Sequence, residues 1–176
     1  HYARDVVREF VMRCVDNGVG RIRIFEALND VRNMETSIKA SKEAGAHVQG
    51  AFVYTISPYH KVSDFVKIAK DLASLGVDSI CIKDMSGLLA PYVAYDLVKE
   101  LKAAVDLPIQ LHTHYTSGMA SMTYLKAVEA GVDIIDTALS PFAMGTSQPA
   151  TEALVAAFQG TSYDTGLDLE KLYTLS

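Results

Sequence analysis

The sequence has no CxxC pair, no long apolar run, no block of like charge and no glycine-rich turn behind its first strand pattern, and each absence removes a class of function. Its two cysteines, Cys14 and Cys81, lie far apart. One falls in a helix pattern and the other in a strand pattern, so both read as small buried hydrophobes in a reducing compartment rather than as a disulfide or a zinc cage. No apolar stretch reaches the roughly eighteen residues that a bilayer requires, and the amphipathic segments carry both signs of charge instead of a cationic face. Lys and Arg number 16 against 21 Asp and Glu. They are scattered, which leaves no basic stripe to neutralise nucleic-acid phosphates. The chain therefore reads as having no transmembrane segment and no nucleic-acid partner, and as cytoplasmic by default. It begins at His1, and "YARDVVREFVMRC" is charged throughout, unlike the apolar core of a signal peptide.

The 176 residues are 49% hydrophobic and 21% charged, enough for one core of ordinary domain size spanning 1–176. Strand patterns appear at "RIRIFEAL" (21–28), "HVQGAFVYT" (47–55), "SICIKDM" (79–85), "PIQLHTH" (108–114) and "DIIDTAL" (133–139). They recur about every 25 to 32 residues, the length of a βα unit. Between them run helix stripes: Val62, Phe65, Val66, Ala69, Leu72 and Ala73 mark one, and Val93, Leu97, Val98, Leu101 and Ala104 another. Pro91 suits a first helical turn, Gly45, Gly76 and Gly131 suit left-handed caps, and Ser147 suits the N-cap of the last helix. Regular alternation predicts parallel strands joined by right-handed crossovers.

An open doubly wound sheet would carry a glycine-rich phosphate turn after its first strand, where this chain has "EALNDVRN". A TIM (β/α)₈ barrel instead gathers polar chemistry at the carboxyl ends of its strands, where Glu26, Lys83, His112, His114 and Asp136 fall. A closed barrel needs eight strands, so five predict a fragment, with exposed strand edges that favour self-association.

Side chains alternate along a strand, so His112 and His114 share one face with Gln110 while Thr113 takes the other. Two neutral imidazoles at that spacing make half of a site for Zn²⁺, Mn²⁺ or Co²⁺. Lys83 shares its side with Cys81, opposite Ile80 and Ile82. As an ammonium it has no lone pair and repels a cation; as a desolvated neutral amine it can add CO₂ and become an anionic oxygen ligand. The alternative is a pairing with Asp84 or a side chain snorkelling from the barrel mouth. Thr146 is placed to face a ligand there. Arg23, Glu26 and Asp136 suit salt bridges or layer contacts, His47 a strand start, His60 a loop, and Met119 and Met122 helix packing.

With "IKDM", "LHTH" and "GTSQP" in this order, the chain resembles the carboxyltransferase domain of biotin-dependent enzymes, most closely that of the oxaloacetate decarboxylase α chain and its counterpart in pyruvate carboxylase. The similarity runs from "HYARDVVREF" to "GTSYDTGLDLEKL", essentially the whole chain. It implies a (β/α)₈ barrel of which this chain supplies about strands four to eight. It further implies a carboxylated Lys83 binding a divalent metal with His112 and His114, and a Thr146 that exchanges a proton with the biotin ureido nitrogen. The implied reaction moves a carboxyl group between oxaloacetate and biotin, leaving pyruvate through a metal-stabilised enolate.

The resemblance also implies partners: a separate biotinyl carrier domain, N-terminal barrel strands that bring an aspartate ligand, and a homo-oligomeric parent that sits beside membrane subunits in sodium-pumping members. The isolated chain is expected to be inactive. Glu26 departs from the aspartate usual after "RIF". The competing expectation is a metal-dependent aldol or Claisen-type lyase or synthase, which pairs an HxH with the same barrel and needs no lysine carbamate.

Overall fold

A computed structural model describes residues 2–176. Five strands form one parallel sheet in chain order: β1 Arg21–Ile24, β2 His47–Val53, β3 Ser79–Asp84, β4 Ile109–Thr113 and β5 Ile134–Ile135. Seven α-helices accompany them: α1 Arg4–Asp16, α2 Glu35–Glu43, α3 Val62–Ser74, α4 Pro91–Ala104, α5 Ala120–Glu129, α6 Thr151–Phe158 and α7 Leu169–Leu175. The expected alternation is present, with Pro91 opening α4. Gly45, Gly76 and Gly131 stand at φ 81°, 80° and 97°, in the left-handed region that closes a helix.

The two faces of the sheet differ sharply. Val48, Phe52, Ile80, Ile82, Ile109 and Leu111 join a single core with Phe65, Leu72, Leu97 and Leu101 of the covering helices. Because residues alternate, the other face carries Arg23, Gln49, Cys81, Lys83, Gln110 and His112. That polar face is concave. In a flat sheet β1 and β5 would lie about 19 Å apart, four strand spacings. Arg23 Nη1 nevertheless bonds Asp136 Oδ2, just past β5, at 2.8 Å. An arginine and an aspartate cannot bridge the flat distance, so the sheet is rolled into a trough, an arc of a barrel with its helices outside.

Several local expectations change. The first strand stops at Ile24, because Glu26 turns the chain by accepting the N–H groups of Leu28 and Asp30 at 3.0 and 2.8 Å. "DIIDTAL" keeps just two ladder residues; beyond them Ala138 bridges in parallel to Ala150. That bridge also moves the helix start. The N-cap of α6 is Ala150, not Ser147, whose carbonyl accepts instead from Tyr115 N–H at 2.7 Å. Met122 is exposed rather than packed, and Cys14 is half-buried, whereas Cys81 is fully buried. Burial pushes the Cys81 thiol up to about 12, against the pull of the Arg23 charge. His47 begins β2 and His60 lies in the loop before α3, as their patterns predict. Among the described residues no helix is long and apolar enough to cross a membrane.

Candidate metal centre

At the carboxyl end of β3 the chain places Lys83 toward the trough and Asp84 away from it, as strand alternation requires. Asp84 is wholly buried. Its oxygens accept the N–H groups of Leu88 and Leu89 at 3.0 and 2.9 Å and the Thr113 hydroxyl at 2.7 Å. The alternative of a Lys83–Asp84 pair is thereby overturned: the carboxyl group holds the β3–α4 loop on the opposite side. Lys83 is half-buried and in register with His112 on the neighbouring strand. Its Nζ lies over the Phe25 ring, 4.8 Å from the centroid, an arrangement that suits an ammonium.

The two histidines converge. His112 Nε2 and His114 Nε2 are 3.2 Å apart, and the other nitrogen of each ring is held from behind. His114 Nδ1 bonds the carbonyl oxygen of Thr146. A carbonyl only accepts, so Nδ1 carries a hydrogen, and in the neutral ring Nε2 is the lone-pair nitrogen. His112 Nδ1 lies 2.8 Å from Asp136 Oδ2. Burial would push the Asp136 carboxyl up, but hydrogen bonds from His112, Arg23 and Gln110 and the Arg23 charge outweigh it and hold the group well below the usual carboxylate range. As an anion it too accepts only, so His112 Nδ1 donates to it, and in the neutral ring Nε2 is then the lone-pair nitrogen.

With both rings neutral, the two Nε2 lone pairs face each other at 3.2 Å, a juxtaposition that a shared cation relieves. A tetrahedral Zn²⁺ with bonds of about 2.0–2.1 Å would set its ligand nitrogens about 3.3 Å apart. The donor pair therefore fits a divalent metal in both chemistry and spacing. Among the described residues no cluster of three or more His, Cys, Asp or Glu is disposed to hold a metal, so a metal at the histidine pair would take further ligands of another kind, such as Lys83, or from another segment.

Thr146 is exposed. Its loop turns through two left-handed residues, Met144 at φ 66° and Gly145 at φ 58°, and Met144 N–H bonds the Gln148 carbonyl at 2.8 Å. The main chain of Thr146 grips His114, and the residue itself is left exposed. Three partners escaped the sequence reading: Asp136 as the group behind His112, the Thr146 carbonyl behind His114, and Gln148, whose Nε2 lies 3.4 Å from His112 Nε2. Glu26 takes its structural role in the β1 turn and does not reach the pair.

The β3–α4 loop bears directly on His114. Gly87 is at φ 66°, and a Cβ there would collide with the His114 carbonyl oxygen. Gly87→Ala is expected to destabilise the fold by about 1–3 kcal/mol and to weaken divalent-metal binding, read by urea unfolding and by cobalt titration. Unchanged midpoint and affinity would show that the loop does not set the imidazole.

Comparison with known proteins places this geometry in context. The HMGL-like family matches residues 18–176. A pyruvate carboxylase subunit of Methanocaldococcus jannaschii is 60% identical over 98% of this chain and 30% of its own length. The methylmalonyl-CoA carboxyltransferase 5S subunit of Propionibacterium freudenreichii is 43% identical over 99% of this chain and 35% of its own length. The carboxyl transferase domain of Rhizobium etli pyruvate carboxylase with pyruvate and biocytin superposes with a TM-score of 0.98 at 38% identity, covering 99% of this chain and 30% of that one. The chain thus spans about a third of the length of these curated relatives.

Proposed function

The chain belongs to the HMGL-like family, and from that premise we propose that it forms the metal-bearing wall of a carboxyltransferase centre. The reaction moves a carboxyl group between oxaloacetate and biotin, with pyruvate as the keto acid left behind. One observation carries the reading: two imidazoles whose outer nitrogens are fixed by Asp136 and the Thr146 carbonyl, and whose inner nitrogens meet at 3.2 Å beside Lys83. The pyruvate and biocytin bound to the Rhizobium etli domain support the choice of substrates.

In this reading His112 and His114 offer their Nε2 lone pairs, and Lys83 joins them after its ammonium loses one proton and the free amine adds CO₂ and loses a second, leaving an anionic carbamate. His112, His114 and the modified Lys83 would hold a divalent ion, Zn²⁺, Mn²⁺ or Co²⁺, which would supply Lewis-acid stabilisation of negative charge on the keto-acid oxygen. Thr146, at the mouth, gives a proton to or takes one from the ureido nitrogen of a biotin brought in by a separate carrier domain. The buried network behind His112 keeps the ring from swivelling, so the metal seat is built before substrate arrives. Open edges on β1 and β5 support a parent in which further barrel strands flank this sheet, and the parent is proposed to be a homo-oligomer.

The experiment is oxaloacetate decarboxylation by the full-length protein with and without avidin. Expected are turnover that avidin abolishes and little or no turnover by the 176-residue chain alone. Biotin-independent aldol cleavage or Claisen condensation with an unmodified Lys83 would replace this reading with that of a metal-dependent lyase or synthase.

A further inference from the structure

Asp136 makes more contacts than a layer salt bridge requires. Its Oδ2 receives Arg23 Nη1 and His112 Nδ1, each at 2.8 Å, and its Oδ1 receives the Gln110 amide. Arg23 is itself tied through Nε to Gln49 Oε1 at 2.5 Å, and Gln49 Nε2 donates to Gln110 Oε1 at 2.8 Å. The four side chains close a ring across the trough, drawn from β1, β2, β4 and the residue after β5. Gln49 and Gln110 are buried, and Arg23 and Asp136 expose about a quarter of their side chains.

A carboxylate locked at both oxygens cannot rotate. Whatever bonds its remaining lone pair is fixed in direction, and that partner is the His112 ring. We propose that Asp136 is a positioning residue for the cation centre: pinned from the far wall of the trough by Arg23, it fixes the His112 ring so that Nε2, not Nδ1, faces His114. Without it the imidazole can flip or change tautomer and turn an N–H toward the bare nitrogen of His114. The Thr146 carbonyl does the corresponding work for His114 from the main chain, which no side-chain substitution removes. Of the two groups that hold the outer nitrogens, Asp136 is thus the one that mutation can isolate.

The proposal rests on His112 and His114 being metal ligands, and the experiment separates the two ideas. Cobalt(II) affinity is measured by titration on the full-length protein, on His112→Ala, on Asp136→Asn and on the double variant. Asp136→Asn is expected to weaken cobalt binding about 10–100-fold. In the His112→Ala background the same change should alter the residual affinity less than about twofold, because Asp136 acts through that ring.

Wild-type affinity in Asp136→Asn, or an equal loss in both backgrounds, would overturn the positioning role. If the unsubstituted protein takes up no cobalt, or His112→Ala leaves uptake intact, the metal reading itself falls and the inference with it. Should Asp136→Asn not fold, ¹⁵N shifts of His112 in the unsubstituted, metal-free protein decide. A protonated Nδ1 with a bare Nε2 upholds the assignment, and the reverse tautomer defeats it.

Discussion

Replacing both imidazoles, His112→Ala with His114→Ala, is expected to abolish stoichiometric divalent-metal binding and to lower carboxyl transfer by the full-length protein about a thousandfold. Lewis-acid stabilisation of a developing oxyanion is worth several kcal/mol, and about 4 kcal/mol is three decades in rate. The fold should survive. Both rings stand on the polar side of the sheet, while the hydrophobic core lies on the other, so truncation opens no cavity in that core. After the change Asp136 still has Arg23 and Gln110 as partners. The melting temperature should fall by no more than about 4 °C, the effect of roughly 1 kcal/mol on a domain of this size. Metal analysis, steady-state turnover and a thermal melt read the three quantities. Full metal content in the double variant would move the binding site elsewhere.

Asp84→Ala is expected to produce the opposite profile, a large loss of stability at a residue that touches no reactant. Three donors converge on this buried carboxyl group, two main-chain N–H groups from the β3–α4 loop and the Thr113 hydroxyl. Truncation strands the two main-chain N–H groups and leaves the Thr113 hydroxyl only the His114 carbonyl at 3.4 Å, and each stranded buried group costs about 1–3 kcal/mol. A loss of about 3–5 kcal/mol by urea unfolding is therefore expected, with Asp84→Asn losing less because its remaining oxygen still accepts. The reason "KD" stands at the end of β3 lies in this division: Lys83 faces the trough and Asp84 ties down the loop behind it. A change below about 1 kcal/mol would mean that the loop finds other acceptors.

Periodicity made much of this visible in the sequence. Alternation along "PIQLHTH" put Gln110, His112 and His114 on one face, and alternation along "SICIKDM" set Lys83 apart from the isoleucines, because a strand has a period of two wherever it lies. Helix punctuation by Pro91 and the cap glycines was equally local. The long-range and main-chain parts of the site were not legible. Arg23 and Asp136 are 113 residues apart, and their meeting depends on sheet curvature, which no local pattern encodes.

The grip of Thr146 on His114 uses a carbonyl that every residue type possesses, so residue chemistry pointed to its hydroxyl alone. Ser147 looked like a cap because a small hydroxyl residue precedes an apolar run. The Ala138–Ala150 bridge kept the chain extended for three more residues before α6 could begin. Asp136 carried one usable signal, its place at the carboxyl end of a strand pattern beside the histidine strand.

Diffraction from the full-length protein at the absorption edge of its bound metal is the most direct test of the metal centre. One anomalous peak is predicted within about 2.0–2.3 Å of His112 Nε2 and His114 Nε2, with the Lys83 side chain extended by a carboxyl group toward it. A peak at any other place, or a fully occupied histidine pair beside an unmodified Lys83 still lying on Phe25, would contradict it.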